Sequence, residues 1–430
     1  MQRSCAVTTT TESPAQCPEC GSTALRRVRT DPPWCGQCEW NLAQWPEPKK
    51  KQTKRRRRAL ARDRRRAFET NRRLLAELEG VQPSAPGRTR TALLLAAASA
   101  ALLLADLAVL VVGISFLFSG SFLLIGAGVL MILIAIECRL RFHRVDTVGA
   151  VTREEAPSLW AVVDQARAAL GAPEIDTLVI ANDFNAACAH SGLRRRVVLE
   201  LGLPLWGALS PEGRLALLGH ELGHLVNGDP TTLLATQPSL MTFHRLAGIF
   251  DPRGMIDSGT LLGEVIGTAL AYTVLLPIHA ACRSIDIVLY RVAAQDHQRA
   301  EAYADALAVK LGGTAGATEL AHTLLFERSV VATLRRAVAS SGDPDGWAAA
   351  TAQAIAACAP GLTFSEQASM RYDVSPYLDH PPPGLRSRLV RSWPTVPPAV
   401  PVPAETLAAA DRELNRQYRS AARAIANGWI

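Results

Sequence analysis

The residues of this sequence best suited to chemistry are His220, Glu221 and His224, which form the pattern H-E-x-x-H. In a helix, residues four apart lie on one face, so the two imidazoles can bind one metal ion together. Glu221 lies beside them, where its carboxylate can accept a proton from a water molecule. The pattern is typical of zinc-dependent peptidases and predicts metal-assisted hydrolysis.

A catalytic zinc normally has three protein ligands, so a third must follow downstream. Glu301 and Asp305 lie one turn apart in a stretch with a helical pattern, residues 298–305. We expect Glu301 to bind the metal and Asp305 to accept a proton from the outer nitrogen of a ligand imidazole. Glu264 is a competing ligand.

A single helix should present the two histidines. Ser210, Pro211 and Glu212 supply an N-cap, a first-turn proline and a first-turn acid. The apolar run 215–219 predicts that the helix is buried, and the sequence Asn-Gly-Asp-Pro at 227–230 should end it. Both histidines therefore belong to its last turns.

Four blocks between about residues 150 and 390 together resemble the HtpX-like and CAAX-prenyl-endopeptidase group of membrane zinc metallopeptidases. They are the core helix 219–229, the E-x-x-A-D-like segment 301–305, the segment Asn185-Ala186-Ala187-Cys188-Ala189, and His380-Pro381-Pro382 with Arg386. The sequence departs from the group at Ala187, where its pattern favours Phe.

The resemblance implies amide hydrolysis in which Glu221 acts first as general base and then as general acid. The tetrahedral intermediate carries an oxyanion, and we expect His380 and Arg386 to stabilise it. A surface histidine in a Pro-rich turn is the competing interpretation of His380. Asn185 and Ala186 should mark a strand at the edge of the active site, along which substrate adds as an extended strand.

Residues 91–136 contain one formal charge, Asp106. A bilayer core of about 30 Å needs about 20 helical residues, so this run predicts two crossings. The small and polar residues between Gly113 and Ser121 are the expected turn of this hairpin. Asp106 should face the partner helix rather than lipid.

Residues 49–73 contain fourteen Lys and Arg against Asp63 and Glu69, and three further arginines follow the second predicted crossing. Basic flanks stay in the cytosol, so both the N-terminal region and the peptidase domain should face it. The sequence thus predicts an integral protein of the plasma membrane.

A third apolar stretch, residues 260–282, is long enough to cross but contains Glu264. Since His224 and Glu301 must reach one ion, the chain between them crosses the membrane an even number of times. Residues 231–250 are a poor span because they carry Gln237, His244 and Arg245. We therefore favour a buried or membrane-associated helix at 260–282, with two crossings as the alternative.

Two C-x-x-C pairs predict a second metal site: Cys17 with Cys20, and Cys35 with Cys38, separated by fourteen residues. Reduced cytosolic thiols favour zinc over disulfides. The segment is too short to bury a core, so the metal should supply its folding energy.

The basic run beside this zinc ribbon could contact lipid headgroups, nucleic acid or a protein. Aromatic side chains suited to base stacking are nearly absent from it, which disfavours nucleic acid. We expect membrane lipids and peptide or protein substrates as partners. The sequence specifies no oligomeric state.

These observations predict an α+β, predominantly helical fold: a zincin-type metallopeptidase domain attached to a two-helix transmembrane hairpin, with a small N-terminal zinc ribbon. Within the peptidase domain, residues 177–180 and 197–201 are the expected strands, the first of them preceded by a helix within 141–180. The predicted parts are a disordered N-terminus (1–16), the ribbon (17–45), a basic linker (46–90), the hairpin (91–138), the peptidase domain (139–390), and a Pro-rich connector with a helix at 405–426 (391–430).

The preferred function is a membrane-bound zinc endopeptidase with one catalytic and one structural Zn²⁺. The group that the chain resembles includes quality-control proteases for membrane proteins and prenyl-protein processors. The Ala- and Arg-rich composition is typical of a high-GC bacterial genome, which favours quality control or self-processing. The alternative is a membrane-tethered zinc-ribbon protein that binds nucleic acid or protein and carries a degenerate, non-catalytic peptidase domain.

Overall fold

A computed structural model of the protein describes residues 16–28, 31–45, 54–87, 89–142, 144–251, 271–341, 345–373 and 380–428. These residues are mostly helical. The chain divides into two compact units, and the first contains residues 1–86, 144–227 and 298–430. The second contains residues 87–143 and 228–297.

Six strands are described: β1 (Leu25–Arg26), β2 (Trp34–Cys35), β3 (Ala150–Val151), β4 (Thr177–Ala181), β5 (Ala186–Ser191) and β6 (Arg196–Gly202). The helices are α1 (Lys54–Leu78), α2 (Arg90–Phe116), α3 (Phe122–Cys138), α4 (Pro157–Leu170), α5 (Leu203–Ala208), α6 (Pro211–Asn227), α7 (Asp229–Ile249), α8 (Leu276–Leu325), α9 (Glu327–Ser341), α10 (Asp345–Cys358), α11 (Leu362–Tyr372), α12 (Pro383–Ser392), α13 (Ala404–Glu413) and α14 (Asn415–Ala426). A π-helical turn at Ala271–Leu275 precedes α8, and a 3₁₀ turn at Ala359–Gly361 precedes α11. Helix α8 is kinked at Gly313, whose φ of 70° and ψ of 169° are not helical.

The first unit contains a four-stranded sheet in the order β3-β4-β6-β5. Strand β4 pairs parallel with β6, whereas β3 and β5 pair antiparallel with their neighbours. The two strands expected from the sequence, 177–180 and 197–201, are confirmed as β4 and β6. Strand β5 ends the order, so it is an edge strand of the described sheet, and it packs against α6.

Helices α6 and α8 approach each other closely through glycine. A Cβ atom on Gly219 would lie 2.6 Å from the carbonyl oxygen of Leu307, and one on Gly223 would lie 3.0 Å from the Cα of Ala304. Because the two glycines are one turn apart, they lie on the same face of α6, and this face meets α8. This contact brings the backbones together where α6 carries its histidines and α8 carries Glu301.

The second unit contains the apolar helices α2 and α3, joined by a turn at residues 117–121. The turn lies at the end of the expected 113–121 region, because α2 continues through Gly113 to Phe116. Gly113 instead packs against α3, where a Cβ atom would lie 3.0 Å from the carbonyl oxygen of Gly128. Small residues that let two apolar helices approach are typical of membrane hairpins.

Two helices among the described residues are long and apolar enough to cross a membrane: Arg90–Phe116 and Thr273–Leu325. In the most apolar part of each, only 11% of residues are buried, which distinguishes them from a core helix. Helix α3 is apolar but shorter, at 17 residues. Of the third apolar stretch, 260–282, residues 260–270 and hence Glu264 lie outside the described part of the chain.

The C-terminal region differs from its prediction in one respect. Residues 394–403 form the expected connector without regular structure. This connector contacts α8 around Gly313 through hydrogen bonds from Thr314 N to Val396 O and from Ala399 N to Lys310 O, both 3.0 Å. The expected single helix at 405–426 is two helices, α13 and α14. They separate at Leu414, whose side chain is buried.

Candidate metal centre

Helix α6 presents His220, Glu221 and His224 in its last turns, as its sequence predicts. Its first turn is capped by Ser210, whose Oγ accepts a hydrogen bond of 3.2 Å from the amide of Gly213. Glu319 of α8 accepts a hydrogen bond of 2.8 Å from the amide of Ser210. The start of the helix is therefore held against the segment of α8 that follows Gly313, and its end carries the histidines beside the segment that precedes Gly313.

Glu301 of α8 lies between the two histidines. Its Oε2 is 3.7 Å from His220 Nε2, and its Oε1 is 3.6 Å from His224 Nε2. Glu301 is 0% exposed and His220 is 3% exposed. The structure thus brings together, in one buried place, the three residues that the sequence nominated as ligands.

The separations of Glu301 from His220 and from His224 fit a zinc ion. Two ligands that each bind zinc at about 2.1 Å in a tetrahedral arrangement lie about 3.4 Å apart, close to both measured separations. The donors are two imidazole nitrogens and a carboxylate, which zinc prefers in catalytic sites. A buried carboxylate that has no cation or hydrogen-bond donor beside it incurs a large desolvation cost, which a bound zinc ion would offset.

His380 joins the same cluster. Its Nδ1 lies 2.8 Å from Glu301 Oε2, and this hydrogen bond raises the pKa of His380. One donor atom each from His220, Glu301 and His380 lie within 4.8 Å of one another. Burial raises the pKa of Glu301, but the hydrogen bond from His380 and the charges of the histidines outweigh it and lower the pKa.

Asp305 lies behind His220, one turn after Glu301. Its Oδ1 is 3.1 Å from His220 Nδ1, which favours the tautomer that donates from Nδ1 and leaves Nε2 for a metal. Burial raises the pKa of Asp305, but the charge of Arg386 more than offsets it, so the net pKa is lowered.

Arg386 has contacts other than those expected for an oxyanion partner. Its Nε and Nη2 donate to Asp305 at 2.9 and 2.6 Å, and its Nη2 lies 3.2 Å from His220 Nδ1. Arg386 is 7% exposed. A buried guanidinium engaged in this fork with Asp305 holds the carboxylate in place, and these contacts favour a role in positioning His220. The expected oxyanion stabilisation by Arg386 stays a prediction.

The edge strand β5 passes beside Glu221. Asn185 immediately precedes this strand and accepts a hydrogen bond of 2.9 Å from the amide of Gly202, and Ala186 pairs with Leu201. Burial raises the pKa of the Cys188 thiol, and the nearby carboxylate of Glu221 adds to this shift. The segment predicted to form the substrate edge thus borders the helix that carries the general base candidate.

The four N-terminal cysteines form a second cluster. Cys17 Sγ lies 3.6 Å from Cys38 Sγ, and Cys20 Sγ lies 3.7 Å from Cys35 Sγ. All four sulfur atoms lie within 4.8 Å of one another. Strands β1 and β2 pair antiparallel beside them. Four thiols at this separation are suited to tetrahedral zinc coordination.

Sequence reasoning missed the helix contact that assembles the metal centre. Gly219 precedes the motif and Gly223 lies inside it, four positions apart. This spacing marks a close helix crossing and could have been read from the sequence. The proximity of Cys188 to Glu221 had no comparable signal.

The sequence model of peptidase family M48 matches residues 153–393, more than half of the chain. The chain belongs to peptidase family M48. The matched region contains α6, Glu301, Asp305 and α12, so the metal centre lies within the family domain. No curated protein and no solved structure matches the chain.

M48 membership makes this protein a metallopeptidase, and the family is zinc-dependent. The N-terminal cysteines, α1 and the apolar hairpin precede the matched residues. They therefore lie outside the matched region.

Proposed function

We propose that the protein is a membrane-bound zinc endopeptidase of the HtpX-like type, with its active site facing the cytosol. The observation that carries the proposal is the position of Glu301, whose two carboxylate oxygens lie 3.7 and 3.6 Å from His220 and His224. His220, His224 and Glu301 would hold the zinc. The complete ligand set argues against a degenerate, non-catalytic domain.

The residues of the site divide the chemistry among them. Bound zinc would supply Lewis acidity, which lowers the pKa of water to about 7 and polarises the scissile carbonyl. Glu221, 7% exposed and adjacent to His220, takes the proton of the attacking water and passes it to the leaving amine. Asp305 holds the His220 ring, and Arg386 holds Asp305.

His380 is the group that we propose for oxyanion stabilisation. Its side chain is 54% exposed while its Nδ1 reaches Glu301, so it lies at the open side of the cluster. An imidazole there can donate a hydrogen bond to the oxygen that gains charge. Because the His380 side chain is exposed to solvent, substrate can approach the cluster from the side on which His380 lies.

Substrate would bind by strand addition. Strand β5 ends the sheet order among the described strands and packs against α6. An extended peptide that pairs with β5 would be held mainly through main-chain hydrogen bonds beside Glu221. This mode suits an endopeptidase that accepts varied side chains.

The test uses the full-length protein in detergent micelles with β-casein as substrate. We expect cleavage by the wild-type protein, loss of cleavage on chelation, and recovery with added Zn²⁺. Glu221→Gln should lower kcat by about 10³-fold or more, because it removes the general base, while zinc content stays unchanged. A Glu221→Gln variant as active as the wild type would refute the proposed mechanism.

The membrane part of the proposal is supported by the apolar hairpin of α2 and α3, of which α2 is long and apolar enough to cross a membrane. Basic residues flank this hairpin on both sides in the sequence, which favours cytosolic flanks. External protease added to spheroplasts should leave the peptidase domain intact. Cleavage within residues 153–393 without lysis would overturn the topology.

Anionic lipid headgroups are the partner that we propose for the first half of α1. Of its described side chains from Lys54 to Ala67, none is buried, and they include Arg58, Arg62 and Arg65. Arginine forks bind phosphate, and this half lacks aromatic rings for base stacking. Binding of the detergent-solubilised protein to phosphatidylserine beads should fall when these three arginines become Gln, and should be unchanged if lipids are not the partner.

The substrate class that we propose is misassembled membrane protein. The support is the combination of a peptidase domain with a hairpin of two apolar helices in one chain. Cells that express Glu221→Gln should accumulate uncut membrane proteins bound to the inactive variant. Accumulation of prenylated proteins alone would instead favour prenyl-protein processing.

A further inference from the structure

The N-terminal ribbon places its aromatic side chains inside the first unit. Trp34 is 0% exposed and stacks on Phe364 of α11, with ring centroids 4.9 Å apart and planes inclined by 12°. Trp34, Leu42 and Phe68 of α1 form a small core of their own. This apolar side of the ribbon is thus covered by this chain's own helices.

The side-chain amide of Gln367 in α11 forms hydrogen bonds with the residues on both sides of Cys35. Its Oε1 accepts a hydrogen bond of 3.0 Å from Trp34 Nε1, and its Nε2 donates one of 2.9 Å to the carbonyl of Gly36. These two residues flank Cys35. A displacement of Cys35 would therefore shift Gln367 and the helix α11 that carries it.

Arg371, one turn after Gln367, is buried among ribbon atoms. It is 0% exposed, its Nη2 donates to the carbonyls of Pro32 (3.0 Å) and Gln44, and its Cζ lies 4.6 Å from the ring centre of Trp34. Trp45 Nε1 donates a hydrogen bond of 2.7 Å to the Arg371 carbonyl. A buried guanidinium needs such acceptors, so this end of α11 depends on a folded ribbon.

Helix α11 in turn holds α12. Ser387 Oγ donates to Glu366 at 2.6 Å, and the amide of Gly384 donates to Ser369 Oγ at 3.1 Å. A Cβ atom on Gly384 would lie 2.3 Å from the carbonyl oxygen of Glu366, so the helices are in tight contact. Arg388 of α12 also binds ribbon residue Glu39 at 2.5 Å.

These contacts end at the active site, because α12 carries Arg386, which binds Asp305 and lies against His220. We propose that the four cysteines hold a structural zinc whose function is to position α12, and hence Arg386, in the metal centre. The ribbon is then part of the catalytic unit rather than a recruitment module. The inference rests on the proposed peptidase function for its kinetic readout.

The test compares Cys38→Ser with Cys38→His in the full-length protein. Cys38 is exposed, and a Cys₃His site still binds zinc, so the histidine variant is the matched control. The measurements are zinc per chain, kcat and KM on a quenched peptide that the wild type cleaves, and hydrogen exchange of residues 362–392. A short peptide is used because a recruitment module would affect only protein substrates.

We expect Cys38→Ser to lose one of two zinc ions per chain, to exchange faster in α12, and to lose about tenfold or more in kcat with little change in KM. Cys38→His should keep the zinc content, the exchange rate of α12 and kcat close to those of the wild type. Gln367→Ala should retain both zinc ions and lower kcat, which keeps the test valid if Cys38→Ser does not fold. Arg26→Ala, on the exposed side of β1, should behave as the wild type.

Loss of the ribbon zinc with unchanged kcat and exchange would overturn the coupling, and so would a zinc content unaffected by Cys38→Ser. An effect on protein substrates but not on the peptide would show recruitment instead. If the wild type cleaves nothing while α12 exchange still responds to Cys38→Ser, the positioning inference stands and the proposed function fails.

Discussion

Arg386 and Asp305, 81 residues apart in the sequence, form a buried two-point ion pair with hydrogen bonds of 2.9 and 2.6 Å. The same Asp305 oxygen that accepts from Nη2 lies 3.1 Å from His220 Nδ1. One carboxylate thus connects α12 to a ligand imidazole. Since a ligand's outer nitrogen controls its orientation and basicity, this pair should tune metal binding.

Asp305→Asn should weaken binding of the catalytic zinc by about 10–100-fold, because the buried Arg386 loses the negative charge that it pairs with and His220 is left with a neutral, weaker acceptor. Arg386→Lys should weaken it less, since an ammonium keeps the charge but not the fork. The affinity of each variant is measured as the zinc that it retains at increasing concentrations of a chelator. Asp164→Asn, which breaks an exposed ion pair with Arg153, is the matched control and should change nothing. Equal retention in Asp305→Asn and the control would contradict the role.

Gly219→Ala should separate α6 from α8, because the added Cβ would lie 2.6 Å from a backbone oxygen of Leu307. We expect a destabilisation of about 1–3 kcal/mol and a loss of activity of about 10²-fold. Thermal unfolding and β-casein cleavage measure these effects. Gly346→Ala, also in a helix but with no atom within 4 Å of the added Cβ, should be neutral or slightly stabilising. Similar behaviour of the two variants would show that the helix contact is not tight.

Strand addition at β5 predicts a two-residue periodicity in the effect of backbone N-methylation on a cleaved peptide. Alternate residues of a strand point their amides toward the partner strand, so methylation at every second position should raise KM by about tenfold. The positions between them should tolerate the methyl group and serve as internal controls. A uniform response along the peptide would exclude binding as a strand.

His322 should make the fold acid-sensitive. Burial lowers its pKa to about 4 from the ordinary value of 6.5, with the charge of Arg391 adding to the shift. Between these values the unfolded chain binds a proton that the folded chain does not, so stability falls as pH drops from 6.5 toward 4 and is constant above. From pH 7 to pH 5, the melting temperature of the wild type should fall further than that of His322→Leu. Parallel decreases would rule out this contribution.

The sequence alone determined which residues could carry the chemistry. Helical periodicity places side chains four residues apart on one face, so His220 with His224, and Glu301 with Asp305, could be paired before any fold was known. The C-x-x-C spacing likewise nominated the four cysteines. Strands β4 and β6 and the helix α6 followed from local apolar patterns and capping residues, which act over a few positions of the chain.

Only the tertiary structure decided the long-range partners. The binding of Arg386 to Asp305, the contact of His380 with Glu301, and the docking of Trp34 on Gln367 across 333 positions each depend on how separate helices pack. Local propensities do not specify which faces meet or at what separation. Those are set by side-chain volume and close backbone approach, as at Gly219, and so they appear only in the packed molecule.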